Sequence, residues 1–215
     1  MPRPLRSIRQ NVTYHVVSRC IECRTLMGEE HFRELFLEVV ALAKEKYTFE
    51  LNQYEIMDNH FHLIIHTLPG EASIDRIMQY IKSRFAEKYN RQNERIGPFW
   101  NERYSCKIIQ DSKKPVRYLL WLLWYLAYNP VRKEFVDDPR DYRYGGINAY
   151  LGNAHRLPLG VTLHKYFREL GDTFTDCVKV LLEYEKQYFE KLKEKSETEH
   201  LLKGSTMYPE SVQQS

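Results

Sequence analysis

Two hundred and fifteen residues, of which 43% are apolar, 13% aromatic and 28% charged, suffice for one sizeable domain with a core, and exclude wholesale disorder or a fibrous repeat. A formal charge of +3 is too small to name a partner. No run approaches the ~18 apolar residues of a membrane span, and Met1 to Gln10, with three arginines and no apolar stretch, does not read as a signal peptide, so a cytoplasmic chain without membrane association is expected.

Thr13 to Cys20 alternates like a strand, and Glu29 to Tyr47 carries Phe32, Leu35, Phe36, Val39, Val40, Leu42 and Ala43 as a helical stripe. Phe49 to Met57 and His60 to Leu68 read as two strands joined by Asp58-Asn59, residues that tolerate positive φ and suit a tight hairpin. A second helix is predicted from Ser73 to about Asn93, with Ile74, Ile77, Met78, Ile81 and Phe85 inward, ending before Gly97-Pro98. Arg103 to Gln110 is the fourth strand. Ser112 offers an N-cap to a helix running through Leu119, Leu120, Leu123 and Leu126 to Asn129-Pro130. The order β-α-β-β-α-β-α predicts an α+β, ferredoxin-like split-βαβ fold, an antiparallel four-stranded sheet with helices on one face and the other face open. After a polar connector containing Pro139, Gly145, Gly146 and Gly152, residues 161–195 read as helical and Glu197 to Ser215 as a frayed tail. The expected division is a catalytic domain over 1–150 and a helical extension over 151–215.

The charge is unevenly spread. Between Arg76 and Arg117 eleven Lys or Arg stand against four acids, whereas residues 151–215 hold nine bases and ten acids. A polyanion would therefore bind the first 150 residues, although solvated helix faces also carry such charge. The four cysteines, Cys20, Cys23, Cys106 and Cys177, form no disulfide framework, and Cys20-x-x-Cys23 lacks the second pair a zinc site needs.

In the third strand His60, His62 and His66 point to one face while Phe61, Leu63 and Ile65 point to the other. His60 and His62 are close enough to share a divalent cation, but His66 lies roughly 13 Å from His62 at ~3.3 Å per residue. Histidines hydrogen-bonded to neighbours would give the same pattern. On the helix after the fourth strand, Lys114, Tyr118, Trp121, Tyr125 and Asn129 share one face, so a phenol and an amide can converge on one point. A core aromatic is the alternative reading of Tyr125.

Taken together these elements resemble the single-tyrosine HUH transposases, and most closely the REP-associated tyrosine transposases. The resemblance covers about residues 8 to 150. It is carried by Tyr14-His15-Val16-Val17-Ser18-Arg19, Met57-Asp58-Asn59-His60-Phe61-His62-Leu63, Phe99-Trp100-Asn101-Glu102-Arg103-Tyr104, Tyr125-Leu126-Ala127-Tyr128-Asn129-Pro130-Val131-Arg132 and Asp141-Tyr142-Arg143. It implies that His60, His62 and Asn129 hold Mg²⁺ or Mn²⁺, that Tyr125 is the nucleophile, and that a 5′-phosphotyrosine and a free 3′-hydroxyl result. A phenol ionises near ~10 in water, so such a tyrosine needs a positive field. The implied substrate is single-stranded DNA beside a hairpin, a REP-like palindrome. Candidate phosphate contacts are Arg3, Arg6, Arg9, Lys82, Arg84, Lys88, Arg91, Arg103, Lys113 and Lys114, with Trp100 and Tyr104 as stacking platforms. The active unit is a monomer or a homodimer. Gly145-Gly146 departs from the serines common in the family. Two alternatives stay open: a nucleic-acid-binding module without chemistry, and a metal-dependent phosphodiesterase that uses water.

Overall fold

The computed structural model describes residues 8–204, with side chains from 8 to 193. Four strands, β1 (Thr13–Arg19), β2 (Phe49–Ile56), β3 (His60–Thr67) and β4 (Ser105–Ile108), form one antiparallel sheet in the order β2-β3-β1-β4. Helices α1 (Glu30–Lys46) and α2 (Ile74–Gln92) cross between them, which is the split arrangement expected. The α2 start falls where predicted, with Ser73 Oγ accepting from the Arg76 N–H. The hairpin between β2 and β3 closes through Met57 N–H to His60 O at 2.9 Å, yet neither Asp58 nor Asn59 uses positive φ. The fourth strand is shorter than the predicted 103–110, because Tyr104 and Ile109 turn into the core at either end.

Alternation decides which side chains meet which layer. Tyr14 and Val16 of β1, Leu51, Tyr54 and Ile56 of β2, and Phe61, Leu63 and Ile65 of β3 face α1 and α2, where they pack with Phe36, Val40, Ile77, Ile81 and Phe85. Fully burying one such side chain stabilises the fold by about 1.5–3 kcal/mol, and this face supplies many.

The opposite face is not open. Helix α3 (Pro115–Ala127) lies over Ile64 of β3 and is followed by the short helices α4 (Asn129–Arg132), α5 (Ile147–Tyr150) and α6 (Lys165–Arg168) and by the long α7 (Phe174–Gly204). Leu119, Leu123, Leu126, Tyr150, Phe167 and Leu181 make a second core there. Ser112 does not cap α3: Lys114 stands at the N-cap and Pro115 begins the helix, since Pro is pre-organised for the first turn. Asn129 is not the end of that helix either, because the chain breaks at Tyr128 and starts the separate turn α4.

The predicted helix over 161–195 is also corrected. Residues 161–164 run extended along β2, with Thr162 N–H bonding Leu51 O at 2.8 Å, and the continuous helix begins only at Phe174. Residues 197–204 continue α7 instead of fraying, and 205–215 lie outside the described residues. No described helix is long and apolar enough to cross a membrane.

Candidate active site between the sheet and the third helix

Because β3 presents its even-numbered residues to α3, His60 and His62 stand side by side on that face, ring centroids 5.1 Å apart. Tyr125, on the turn of α3 above them, sets its ring edge-on to His62 at 6.3 Å. Tyr125 is 40% exposed although its helix neighbours Trp124 and Leu126 are fully buried. The phenol is therefore accessible and adjacent to the histidine pair, not in the core.

Hydrogen bonds orient the two imidazoles. His60 Nδ1 lies 2.6 Å from Asn59 Oδ1, and His62 Nδ1 lies 3.0 Å from His15 Nε2. Both Nε2 atoms are left for another partner. Burial, reinforced by Arg19, pushes His60 down to about 4, and His62 is lowered by burial and then by His15, His60, Arg19 and Arg132. Both rings are thus neutral at neutral pH, the form a metal needs. His66 is elsewhere: its Nδ1 meets Thr13 Oγ1 at 3.0 Å, and the same hydroxyl lies 2.9 Å from His164 Nε2.

Asn129 stands on the first turn of α4, its Oδ1 accepting from Arg132 Nη2 at 2.7 Å and its buried Nδ2 without a hydrogen-bond partner. Among the described residues no three His, Cys, Asp or Glu side chains gather round one point. A cation here would have two neutral imidazoles as donors, with the Asn129 amide oxygen, now held by Arg132, as a third candidate. That fits a small hard cation that keeps much of its shell for water or substrate phosphate oxygens, as Mg²⁺ does. It does not fit a closed cage.

Arg132 ties this corner together. Its guanidinium sits 4.9 Å over the Tyr125 ring, donates to Tyr125 O at 3.1 Å, and donates to Tyr188 Oη of α7 at 2.5 Å. Tyr188 packs in turn against Trp121 and Tyr128. Tyr128, the neighbouring tyrosine that could be confused with a nucleophile, is 8% exposed and donates to Glu185.

Beneath α3 the sheet carries more polarity than a core face tolerates without reason. Glu55 pairs across from His62 in the sheet, is 1% exposed, and neither of its oxygens has a hydrogen-bond partner. Burial pushes its carboxyl well above the usual range, favouring the neutral form, with Arg132 pulling the other way. Gly145 and Gly146 lie against this row: a Cβ on Gly145 would stand 2.6 Å from Glu55 Oε1, and one on Gly146 2.3 Å from Gln53 Oε1. A side chain at either position would oblige Glu55 or Gln53 to shift.

The candidate DNA contacts scatter. Arg3 and Arg6 lie outside the described residues. Arg9 pairs with Asp111, Lys88 with Glu38, and Arg84 and Arg91 share Glu87. Lys82 donates to Glu102 O at 2.6 Å. Arg103 lines a groove of about 610 Å³ between α2 and residues 97–104, while Lys113 and Lys114 are exposed at the start of α3. The two candidate stacking rings are largely covered. Tyr104 is 6% exposed with its hydroxyl on Asp75, and Trp100 packs among Phe36, Phe61, Phe85 and Phe99 with its Nε1 on Lys82 O. Tyr104 is thus buried and Trp100 half-buried, and both rings also line the groove beside α2.

A second groove, of about 380 Å³, runs between β4 and α3 and reaches the site itself; its walls include His15, Lys107, Tyr118, Trp121 and Tyr125. His15, Lys107, Glu55 and Arg132 had no assigned role in the sequence. The parity of His15 within β1 was a usable signal, but its pairing with His62 depends on the β1–β3 register, which the sequence does not print.

Residues 8–118 match the profile of the family described as Transposase IS200 like. A curated Haemophilus influenzae protein that carries the name REP-associated tyrosine transposase is 26% identical over 113 residues, 48% of this chain and 62% of its own length. The chain thus spans under two thirds of that relative. A solved structure described as a REP-associated tyrosine transposase bound to a REP hairpin superposes with a TM-score of 0.58 at 17% identity, covering 76% of this chain and 93% of the other. That likeness speaks to the fold.

Proposed function

The chain belongs to the IS200-like transposases, and from that membership we propose that it is a metal-dependent, single-strand-specific DNA endonuclease and strand transferase whose nucleophile is Tyr125. The observation that carries the reading is the approach of an exposed phenol to the His60–His62 pair within one chain, 6.3 Å between the Tyr125 and His62 rings.

His60 and His62 would hold Mg²⁺ or Mn²⁺ through their Nε2 atoms, with Asn129 Oδ1 as the third donor. Such a cation polarises a non-bridging oxygen of the scissile phosphate and offsets its charge. Arg132, stacked on the Tyr125 ring, adds positive field where the phenolate must form. The phenol gives its proton to water, the phenolate attacks phosphorus, a Tyr Oη–P bond forms, and the P–O3′ bond breaks, the leaving 3′-oxygen taking a proton from water to become a free hydroxyl. The bond energy stays in the 5′-phosphotyrosine, so a second 3′-hydroxyl can reverse the step on another strand without ATP. The groove between β4 and α3 is the path for the strand: Tyr118 and Trp121 offer ring surface beside Tyr125, and Lys107 offers charge. The substrate class is single-stranded DNA beside a hairpin, as the hairpin in the related solved structure supports.

The test is a covalent trap. Labelled hairpin-flanked single-stranded DNA is incubated with the protein and Mn²⁺, denatured and resolved. Label migrating with the protein is expected, lost in Tyr125→Phe while DNA binding stays within about twofold, since a hydroxyl on an exposed edge contributes little to affinity. Uncut DNA would identify a binding module, and cut DNA without adduct a hydrolase that uses water.

A further inference from the structure

We infer that His15 is a positioning residue for the cation: it takes the Nδ1 proton of His62 and so keeps the His62 Nε2 lone pair turned toward the metal. This rests on the reading of His60 and His62 as metal ligands.

In the antiparallel pairing of β1 with β3, Val17 stands opposite His62 and His15 opposite Ile64, so His15 is the diagonal neighbour of His62 on the same face. The two rings lie nearly parallel, 18° apart with centroids at 5.2 Å, and His15 Nε2 approaches His62 Nδ1 to 3.0 Å. Only one proton fits between two ring nitrogens at that distance. If His15 owns it, neutral His62 must carry its own proton on Nε2 and has no lone pair to give. If His62 owns it, Nε2 is free. The bound cation selects the second arrangement, and His15 is the acceptor that makes it affordable in a buried place.

His60 reaches the same end by a different device. The Asn59 amide is fixed because its Nδ2 donates to Cys23 O at 3.2 Å, so the atom 2.6 Å from His60 Nδ1 is a carbonyl oxygen that can only accept. His60 is therefore locked with Nε2 bare, whereas His62 depends on a partner that could hold the proton itself. The asymmetry makes His15 the decisive one. Metal-binding histidines generally give their second N–H to such a partner, and losing it weakens metal affinity about 10- to 100-fold.

The experiment titrates full-length protein with Mn²⁺, followed by electron paramagnetic resonance and calorimetry, with thermal melts to confirm folding. His15→Leu, which keeps bulk but accepts nothing, is expected to weaken Mn²⁺ binding about 10- to 100-fold, and His15→Gln, whose amide oxygen can accept, to stay within about threefold of wild type. In Mg²⁺-loaded wild-type protein, ¹⁵N spectra of labelled histidine should place the His62 proton on Nδ1. Unchanged Mn²⁺ binding in His15→Leu, or a His62 proton on Nε2 in the Mg²⁺ form, overturns the assignment to His15 alone. Failure of wild-type protein to bind Mn²⁺ overturns the metal reading beneath it. Should His15→Leu not fold, His15→Gln and the wild-type spectra still decide.

Discussion

The two faces of the sheet are made by the same strands and are chemically opposite. Toward α1 and α2, β3 presents Phe61, Leu63 and Ile65, all fully buried, and ends in the buried Thr67. Toward α3 the alternate positions are His60, His62 and His66, with only Ile64 apolar, and they sit beside Glu55, Gln53 and His15. One residue of register separates stability from chemistry. The lesson is that the second face is affordable because the first is not asked to do anything but pack. Neutral histidines and a buried Glu55 are held under α3 at a cost that the aromatic layer of Phe36, Phe61, Phe85 and Phe99 offsets.

Acid should separate the faces most sharply. His15, His60, His62, His66 and His164 all lie on or against the second face, and burial lowers every one of them, His15 and His60 to about 4 and His164 to about 3. Between those values and the ordinary 6.5 the unfolded chain binds more protons than the folded one. Stability is therefore full above pH ~6.5 and lost as pH falls toward 4, with His15 and His164 each removing on the order of 3 kcal/mol. Urea denaturation from pH 7 to pH 4 measures this, and a flat profile would break the comparison.

Neighbouring substitutions sharpen it next. Phe61→Ala opens the apolar core and is expected to cost about 3–5 kcal/mol. His62→Ala, one residue on, should cost about 1 kcal/mol from the orphaned His15 nitrogen, yet abolish metal-dependent cleavage. Chemical denaturation beside the cleavage assay checks both, and equal stability losses would contradict the division of labour. A third probe is Gly145→Ala, where a methyl meets the Glu55 carboxyl: up to about 1 kcal/mol is expected, with a smaller loss in a Glu55→Ala background. Thermal melts of the single and double variants read the coupling.

How much of this was legible depended on range. The period-two pattern in His60-Phe61-His62-Leu63-Ile64-Ile65-His66 assigns faces without any knowledge of partners, and the helical stripe of Phe32, Phe36, Val39, Val40 and Ala43 likewise encodes its own burial. The Tyr125 and Asn129 spacing was readable, and so was a stop near Asn129-Pro130, but the short helix that restarts there and its contacts with α7 were not. β2 hid its polar face for a local reason: the register shifts between Leu51 and Gln53, which puts Glu50, Gln53 and Glu55 in phase where strict alternation would not. Trp100 and Tyr104 look like surface rings in a basic stretch, and only their packing against distant aromatics takes them inward. Likewise the four-residue helices α4, α5 and α6 carry too little periodicity to be seen before the core they complete exists.

The Arg132–Tyr188 bond sets an order of events on the ribosome. The histidine hairpin is translated first, the tyrosine helix later, and α7 after both, so Arg132 waits for Tyr188 before the Tyr125 corner closes. A nascent chain therefore carries its histidine pair while the Tyr125 corner is still open, and that corner is completed only once translation has passed the point where α7 can dock.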